Sequence, residues 1–577
     1  MLRWLGKVLL WLCAALGGAV LGLGLLLLAF ASHGYTPALP KTMILSLDLR
    51  YGIAEHESYN PLDYLLGRPA ASTREVVMAL FDAAIDPGVQ ALVIRADDAT
   101  LGLAQAQELY DAVAYFRSFD KPVYAYGDSF GIEAGGTNGY LIASAADEIW
   151  LQPSGDWALL GFIWQLPYAA QLLETIGIKA EFATREEYKS AMQSFTHSSM
   201  PEHERTAILA LGGNVMQQKL TAIAQSRNLD PALSNLWVEQ SPMSAAEALG
   251  LGLVTNLGYA QELEAALMER YGKDTPWLDI ADYAQHTASE PAAATVAVIY
   301  ANGPIERGEP AEDYWPPEHS VYADQTAHAI LDAADDPAIR AIVLRVDSPG
   351  GSYIASDTIW HAVSVAKKTG KPVYAVFGNV AASGGYFIAM GADKIFASPG
   401  SITGSIGVVA GKFSIAGLLQ KLQITVDSVQ IGTNADLWSP VNGFTPAGRA
   451  KLEEFADRSY QDFMTKAAEG RNMPLEAIHD LAKGQVWTGE QAWDLGLVDG
   501  LGGWMEAEDN LYQALALKDG ERIAYSVYPK PAEDIQGILS GLGGYLTGAQ
   551  ASVLQKAWQR VTTSPISIQA RMWATPQ

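Results

Sequence analysis

The sequence predicts an α/β protein in which one domain occurs twice. Residues 91–97 resemble residues 341–347, and the pentapeptide Lys-Pro-Val-Tyr-Ala at 121–125 recurs unchanged at 371–375. Further matches follow in the same order, first 250 and then 246 positions apart. Collinear matches over so long a stretch indicate a duplicated domain rather than an array of short repeats.

Each copy has the same succession of predicted elements. Strands that are apolar throughout, without alternation, are typical of a parallel sheet covered on both faces. Strands that alternate with helices predict right-handed βαβ units. The predicted elements are an opening strand (43–49; 295–300), a helix (73–84; 324–334), a buried strand (91–95; 341–345), an amphipathic helix (104–116; 355–367) and the Lys-Pro-Val-Tyr-Ala strand.

The 577 residues are too many for one hydrophobic core, which agrees with the duplication. We therefore expect two domains behind a membrane anchor, with a Pro- and Ala-containing linker between them. The predicted segments are a cytoplasmic stub with a transmembrane helix (1–32), a first domain (43–270), a linker (271–294), a second domain (295–525) and a C-terminal extension (526–577).

The predicted anchor is a run of 24 uncharged, mostly apolar residues at 8–31. A helix of that length spans the roughly 30 Å hydrocarbon layer of a membrane. Arg3 and Lys7 precede the run, so the positive-inside rule predicts a cytoplasmic N-terminus. A cleaved signal peptide is the alternative, because residues 29–31 (Ala-Phe-Ala) resemble a cleavage site, although the apolar core of such a peptide is normally shorter. Both interpretations put the bulk of the chain outside the cytoplasm.

Charge and cysteine content exclude some classes of function. The formal net charge of −26 argues against a nucleic-acid partner, because such proteins carry clustered Lys and Arg. Cys13 is the single cysteine, so an intrachain disulfide is impossible and a thiolate metal site is not expected.

Two glycine-containing turns in the second copy are candidates for chemistry. Residues 347–352 (Asp-Ser-Pro-Gly-Gly-Ser) follow a buried strand, and residues 381–386 (Ala-Ala-Ser-Gly-Gly-Tyr) precede a predicted helix. Small neighbours around Ser383 suit a nucleophile on a sharp turn, and the N–H of Gly384 can join those of the first turn in an oxyanion hole. The structural alternative is an ordinary turn followed by a serine helix cap.

A serine nucleophile needs a base, and the usual base is histidine. The nine histidines occupy no recognisable motif. The alternative base is a lysine whose pKa is lowered by an apolar, dehydrated site. On residue chemistry alone, Lys189 follows the charged residues 185–187 and is interpreted as an exposed lysine.

A resemblance to a known family changes that interpretation. Residues 347–351, 382–386 and 403–407 (Thr-Gly-Ser-Ile-Gly), together with residues 187–191 (Glu-Tyr-Lys-Ser-Ala), resemble the signal peptide peptidase SppA (protease IV) family in its long two-domain form. That family belongs to the ClpP/crotonase superfamily. The resemblance extends from the anchor to about residue 525 and implies two tandem ClpP/crotonase-like domains behind the transmembrane helix.

The resemblance also implies roles for individual residues. Ser383 lies at the nucleophile position, Lys189 at the position of the general base, and Ser405 where the family has a second serine that hydrogen-bonds the lysine. The positions near the oxyanion donors are those of Gly350, Gly351 and Gly384.

The repeat agrees with a single composite site. Its alignment places Thr137 opposite Ser383, Leu159 opposite Ser405 and Ala435 opposite Lys189. Each copy therefore lacks what the other supplies, and one site between the halves accounts for both.

By the same resemblance, the expected function is a membrane-bound serine endopeptidase that uses a Ser–Lys dyad without metal or cofactor. Its expected substrates are cleaved signal peptides and other apolar peptides. The expected assembly is a homotetramer in the bacterial inner membrane, with the catalytic domains on the periplasmic side. The alternatives are a crotonase-like enzyme that acts on acyl-CoA, which shares the fold, and an inactive membrane scaffold.

Overall fold

The computed structural model describes residues 38–56, 71–97, 99–132, 136–288, 290–310, 320–518 and 520–530. The predicted anchor at 8–31 and the chain beyond 530 lie outside these ranges. In the described part of the chain, no helix combines the length and the apolar character needed to cross a membrane.

The first half is built on a six-stranded parallel sheet with the order β8-β4-β3-β2-β1-β9. The strands of this half, including three that lie outside that sheet, are β1 (Met43–Asp48), β2 (Val89–Arg95), β3 (Val123–Gly127), β4 (Glu148–Leu151), β5 (Asp156–Trp157), β6 (Lys179–Arg185), β7 (Met243–Ser244), β8 (Asn256–Leu257) and β9 (Trp277–Asp279). Its helices are α1 (Thr73–Ile85), α2 (Leu103–Arg117), α3 (Gly136–Ser144), α4 (Ala170–Ile176), α5 (Gln193–Thr196), α6 (Glu202–Arg227), α7 (Ser234–Glu239), α8 (Ala245–Gly250), α9 (Ala260–Tyr271) and α10 (Ile280–Ala288).

The second half repeats this plan. Its strands are β10 (Ala294–Asn302), β11 (Ile305–Glu306), β12 (Val321–Tyr322), β13 (Ile339–Ser348), β14 (Val373–Ala382), β15 (Lys394–Ala397), β16 (Ile402–Gly404), β17 (Val408–Ser414), β18 (Val486–Thr488), β19 (Gly500–Leu501) and β20 (Ile523–Tyr528). Its helices are α11 (Ala323–Asp335), α12 (Tyr353–Lys367), α13 (Gly384–Ala389), α14 (Ala416–Lys421), α15 (Pro446–Arg471), α16 (Leu475–Leu481), α17 (Gly489–Asp494) and α18 (Trp504–Ala514). The parallel order β19-β15-β14-β13-β10-β20 matches the first sheet strand for strand.

The predicted α/β class is therefore confirmed, and the repeat found in the sequence corresponds to a repeated topology. Strands β2 and β13 are buried along most of their length, as expected for sheets covered on both faces. The predicted elements lie within a few residues of the observed ones; β14 is longer, because it continues from the Lys-Pro-Val-Tyr-Ala segment to Ala382.

Two regions near the predicted boundaries carry regular structure. The segment 271–294, expected to be a linker, contains β9 and α10; β9 is the edge strand of the first sheet, and α10 packs on α1. Strand β20 crosses position 525 and is the equivalent edge strand of the second sheet. Strands β9 and β20 therefore pair with the outer edges of β1 and β10, the strands that open each half.

The halves share an apolar core. One face of the second sheet, including Val298, Val343 and Phe396, belongs to the same buried cluster as the first-half residues Leu109 and Phe116. The other face forms a separate core with α11, α12 and α15. The second sheet is therefore covered on one face by the first half, so the two halves share a core and are not separate globular units.

A buried ion cluster lies within this contact. The side chain of Arg345, on β13, is 0% exposed. Its guanidinium donates to Glu108 Oε1 at 2.7 Å and to Glu55 Oε1 at 2.5 Å, and both acids come from the first half. The second oxygen of Glu108 accepts from the N–H of Trp504, whose ring lies 5.6 Å from the guanidinium.

We predict that Glu108→Leu destabilises the full chain by about 3–5 kcal/mol, because it leaves a buried guanidinium short of counter-charge. Denaturant unfolding measures this change. Glu454→Ala is the control: Glu454 pairs with Lys451 and Arg458 at the surface, where such pairs contribute about 0–1 kcal/mol. Equal losses for both variants would show that the buried cluster has no special weight.

Candidate active site

An antiparallel ladder between the halves builds the site. Strand β6 of the first half pairs with β17 of the second over seven residues, from Arg185↔Val408 to Lys179↔Ser414. Residues that follow β6 are thereby brought beside residues that precede β17. Lys189 lies in the first group and Ser405 in the second, which explains how distant segments meet.

Ser383 lies on a strained turn between β14 and α13. Its φ is 54° and its ψ is −117°, a conformation that costs a non-glycine residue about 1–3 kcal/mol. Its N–H donates to the carbonyl of Gly404 at 2.8 Å, which ties the turn to the end of β16. A serine held on a sharp strand-to-helix turn presents its hydroxyl away from both elements.

The Lys189 amine reaches this hydroxyl within one chain. Lys189 Nζ lies 2.9 Å from Ser383 Oγ, 3.0 Å from Ser405 Oγ and 2.8 Å from the Ser405 carbonyl oxygen. Lys189 is 5% exposed. In the described ranges no carboxylate forms an ion pair with it. Burial alone lowers its pKa to about 7 from the usual 10.5.

This geometry suits an uncharged amine. A neutral amine has two N–H groups and one lone pair, and the Ser405 carbonyl can only accept. If both N–H groups donate to Ser405, the lone pair faces Ser383 Oγ and can accept its proton. The arrangement therefore has the contacts required for a base next to a nucleophile.

Residues 483–485, which sequence reasoning did not identify, hold this cluster in place. The Lys483 carbonyl accepts from the N–H of Tyr188, and the Gln485 carbonyl accepts from that of Ser405 at 2.7 Å. Gly484 has a φ of +80°, and a Cβ there would lie 2.5 Å from the backbone nitrogen of Lys189. The first copy has Gln240 at this position, so the difference between copies was the signal available in the sequence.

The three predicted oxyanion glycines all lie at Ser383, but their N–H groups differ. That of Gly350 already donates to Ser348 Oγ at 3.1 Å. Gly350 instead allows the close approach of the two turns, because its φ is +100° and a Cβ there would lie 2.8 Å from the Ser383 Cβ. The N–H groups of Gly351 and Gly384 have no hydrogen bond to the described residues, and both lie beside Gly350 and Ser383. These two are available to a developing oxyanion.

Comparison with known proteins gives a family for this arrangement. Residues 115–273 and 365–518 match Peptidase family S49, so one match falls in each half and together they cover more than half of the chain. The chain belongs to peptidase family S49. This S49 chain is a serine endopeptidase, which confirms the enzyme class predicted from the sequence.

Relatives of this S49 peptidase come from distant organisms. Protease 4 of Salmonella typhi is 31% identical over 547 residues, which are 90% of this chain and 85% of that protein. The chloroplastic serine protease SPPA of Arabidopsis thaliana is 28% identical, over 85% of this chain and 72% of that protein. A protein of Enterococcus faecium, provisionally named signal peptide peptidase SppA, is 38% identical over 33% of this chain and 56% of its own length.

We predict that kcat/KM of this S49 peptidase rises with pH around an apparent pKa near 7, set by Lys189. The unprotonated amine is the active form, so activity falls as pH falls, about tenfold per unit well below the midpoint. A pH–rate profile on a chromogenic peptide measures this, with circular dichroism as the check that the chain stays folded. A midpoint near 10.5, or a flat profile between pH 5.5 and 8.5, would contradict the assignment.

Proposed function

We propose that this S49 peptidase is anchored in the membrane and degrades cleaved signal peptides through a Ser383–Lys189 dyad. The observation that carries the proposal is the 2.9 Å separation of Lys189 Nζ and Ser383 Oγ, together with the burial of Lys189. Ser405 is assigned the supporting role, because its carbonyl and hydroxyl oxygens both contact the same amine.

The proposed reaction has two halves. Neutral Lys189 takes the proton of Ser383 Oγ as this oxygen attacks the peptide carbonyl. The carbonyl oxygen becomes an oxyanion, which accepts from the N–H groups of Gly351 and Gly384. The resulting ammonium gives its proton to the leaving amine as the peptide bond breaks. Water then attacks the acyl-serine with Lys189 again as the base, which releases the acid and restores both groups.

The substrate and location rest on the sequence and on the names of relatives. The Enterococcus relative carries the name signal peptide peptidase, and a signal peptide contains an apolar core of about 7–15 residues. The apolar run at 8–31 supports a single transmembrane anchor, and Arg3 and Lys7 support a cytoplasmic N-terminus. We therefore assign the catalytic halves to the periplasmic side of a bacterial inner membrane. The matching strand orders support two tandem ClpP/crotonase-like domains.

We predict that Ser383→Ala and Lys189→Met each reduce cleavage of a synthetic signal peptide in detergent micelles by at least about 10³-fold, because either change removes half of the dyad. A serine-directed fluorophosphonate should label the wild-type chain but not Ser383→Ala. Ser405→Ala should retain more activity than either, since the Ser405 carbonyl remains.

The controls separate the competing functions. A polar peptide of the same length should be cut more slowly than the signal peptide. Cleavage that persists in Ser383→Ala would remove this serine from the chemistry. Hydrolysis of an acyl-CoA without phosphonate labelling would favour the crotonase-like alternative.

The repeat also supports a head-to-tail homo-oligomer, for which we propose the homotetramer. Within a chain, β6 pairs with β17; their repeat equivalents are 425–431 and 162–168. Neither equivalent is a strand in the single chain, and both expose large apolar side chains: Phe162, Ile163, Trp164, Leu166, Val426, Val429 and Ile431. Pairing of 425–431 with 162–168 of a neighbouring copy would repeat the internal ladder, and head-to-tail contacts of this kind close into rings.

We predict a definite register for that contact. Repeat equivalence places Trp164 opposite Val429, as Ala410 is opposite Ala183 within the chain. In a background with Cys13→Ser, the pair Trp164→Cys and Val429→Cys should form disulfides between chains on mild oxidation, seen on non-reducing gels. The control pairs Trp164→Cys with Ser428→Cys, whose side chain points to the opposite face. Equal cross-linking of both pairs, or none, would contradict the register.

A further inference from the structure

The strand that carries Ser383 is irregular just before the serine. In the ladder between β13 and β14, Val346 pairs with Phe377 but Ser348 pairs with Ala381. Three residues of β14, 378–380, therefore lie opposite the single residue Asp347 of β13, so β14 has two residues in excess and 378–380 have no ladder partner on β13. Whatever fixes these three residues fixes where Ser383 lies relative to the glycine turn at 350–351.

A side chain on β13 bridges the irregularity. Asp347 Oδ1 accepts from the N–H of Val380 at 2.8 Å, so it replaces the missing ladder contact. Gly378 lies against the same side chain, because a Cβ there would approach the Asp347 Cβ to 3.0 Å. Asp347 thus joins the strand that leads to the oxyanion glycines with the strand that leads to Ser383.

In the first copy, the equivalent aspartate has a different hydrogen-bond partner. Asp97, its repeat equivalent, accepts three hydrogen bonds from the guanidinium of Arg95, the last residue of β2, at 3.0, 3.4 and 3.1 Å. The equivalent arginine of the second copy is Arg345. It turns instead to Glu55 and Glu108 of the first half, and no hydrogen bond joins it to Asp347. Asp347 is thereby left free to hold Val380.

The first half also contacts the irregular segment directly. Glu55 Oε1 lies at Gly378, where a Cβ would approach it to 3.0 Å. Asn379 Oδ1 accepts from the N–H of Gln105 at the start of α2, at 3.4 Å. The same face of the first half therefore binds the guanidinium of Arg345 and also packs on the segment that precedes Ser383.

We propose that Asp347 is a positioning residue for Ser383, and that Glu55 and Glu108 keep it available by holding Arg345. Docking of the two halves thus does more than deliver Lys189. It sets the hydrogen bond that aligns the nucleophile with its oxyanion donors. The inference rests on the proposed function of Ser383.

Substitutions at Asp347 in the full chain test the hydrogen bond. Asp347→Ala should lower kcat 10- to 100-fold with KM unchanged within twofold, and should slow phosphonate labelling of Ser383 in proportion. Asp347→Asn keeps an oxygen that can accept from Val380, so kcat should stay within about threefold of the wild type. Asp97→Ala, the matched change in the first copy, should leave kcat unchanged.

A double-mutant cycle tests the second part. Glu55→Ala frees Arg345 to pair with Asp347, so it should lower kcat in the wild-type background but much less in the Asp347→Asn background, where the acid is gone. Additive effects would overturn the link to Arg345. Normal labelling in Asp347→Ala, or equal losses for the Ala and Asn variants, would overturn the positioning role. If the wild-type chain itself is not labelled, the proposed function of Ser383 fails instead.

Discussion

The site depends on the antiparallel ladder between β6 and β17. Lys189 belongs to one half and Ser383 to the other, and nothing in either sheet alone brings them together. The ladder fixes the direction in which the chain leaves β6, and residues 483–485 then hold the following turn from the other side. An amine at hydrogen-bond distance from the hydroxyl follows from these two supports.

The chemistry of the site is costly for the fold. An amine without a counter-carboxylate is buried, and a serine is held in a backbone conformation that few residues adopt. For Lys189 the depressed pKa means that the unfolded chain binds more protons than the folded one between about pH 7 and 10.5. The cost of burying this amine is therefore fully present below about pH 7 and declines as the pH rises toward 10.5. The apolar core shared by the halves supplies compensating stability.

Much of the fold was predictable because it repeats. Each strand and helix could be predicted from two copies of its sequence pattern. The apolar runs 91–95 and 341–345, for example, correspond to β2 and β13 in the structure. The edge strand β9 was missed, because three residues near Pro276 carry little pattern of their own and acquire strand geometry by pairing with β1.

The chemistry was predictable only in part. Ser383 stands in a recognisable small-residue turn, whereas Lys189 was assigned only through the resemblance of residues 187–191 to the family. Residue chemistry alone predicted an exposed lysine, because its burial arises from contacts with Gly407 and Gly484 that are distant in sequence. The oxyanion donors could not be distinguished from the sequence, because it does not reveal that the N–H of Gly350 donates to Ser348 Oγ. Asp347 and Asp97 look alike in sequence and differ through the partner of the neighbouring arginine.

The division of the proposed dyad between halves affects the order of events during synthesis. Lys189 precedes Ser383 by 194 residues, so a nascent chain holds the amine well before it holds the alcohol. At ribosomal rates of about 5–20 residues per second, this interval lasts roughly 10–40 s. Under the proposed mechanism, the emerging polypeptide lacks the nucleophile through that time and cannot cut itself or its neighbours. Competence arrives only when the C-terminal half has been synthesised and has packed against the N-terminal half.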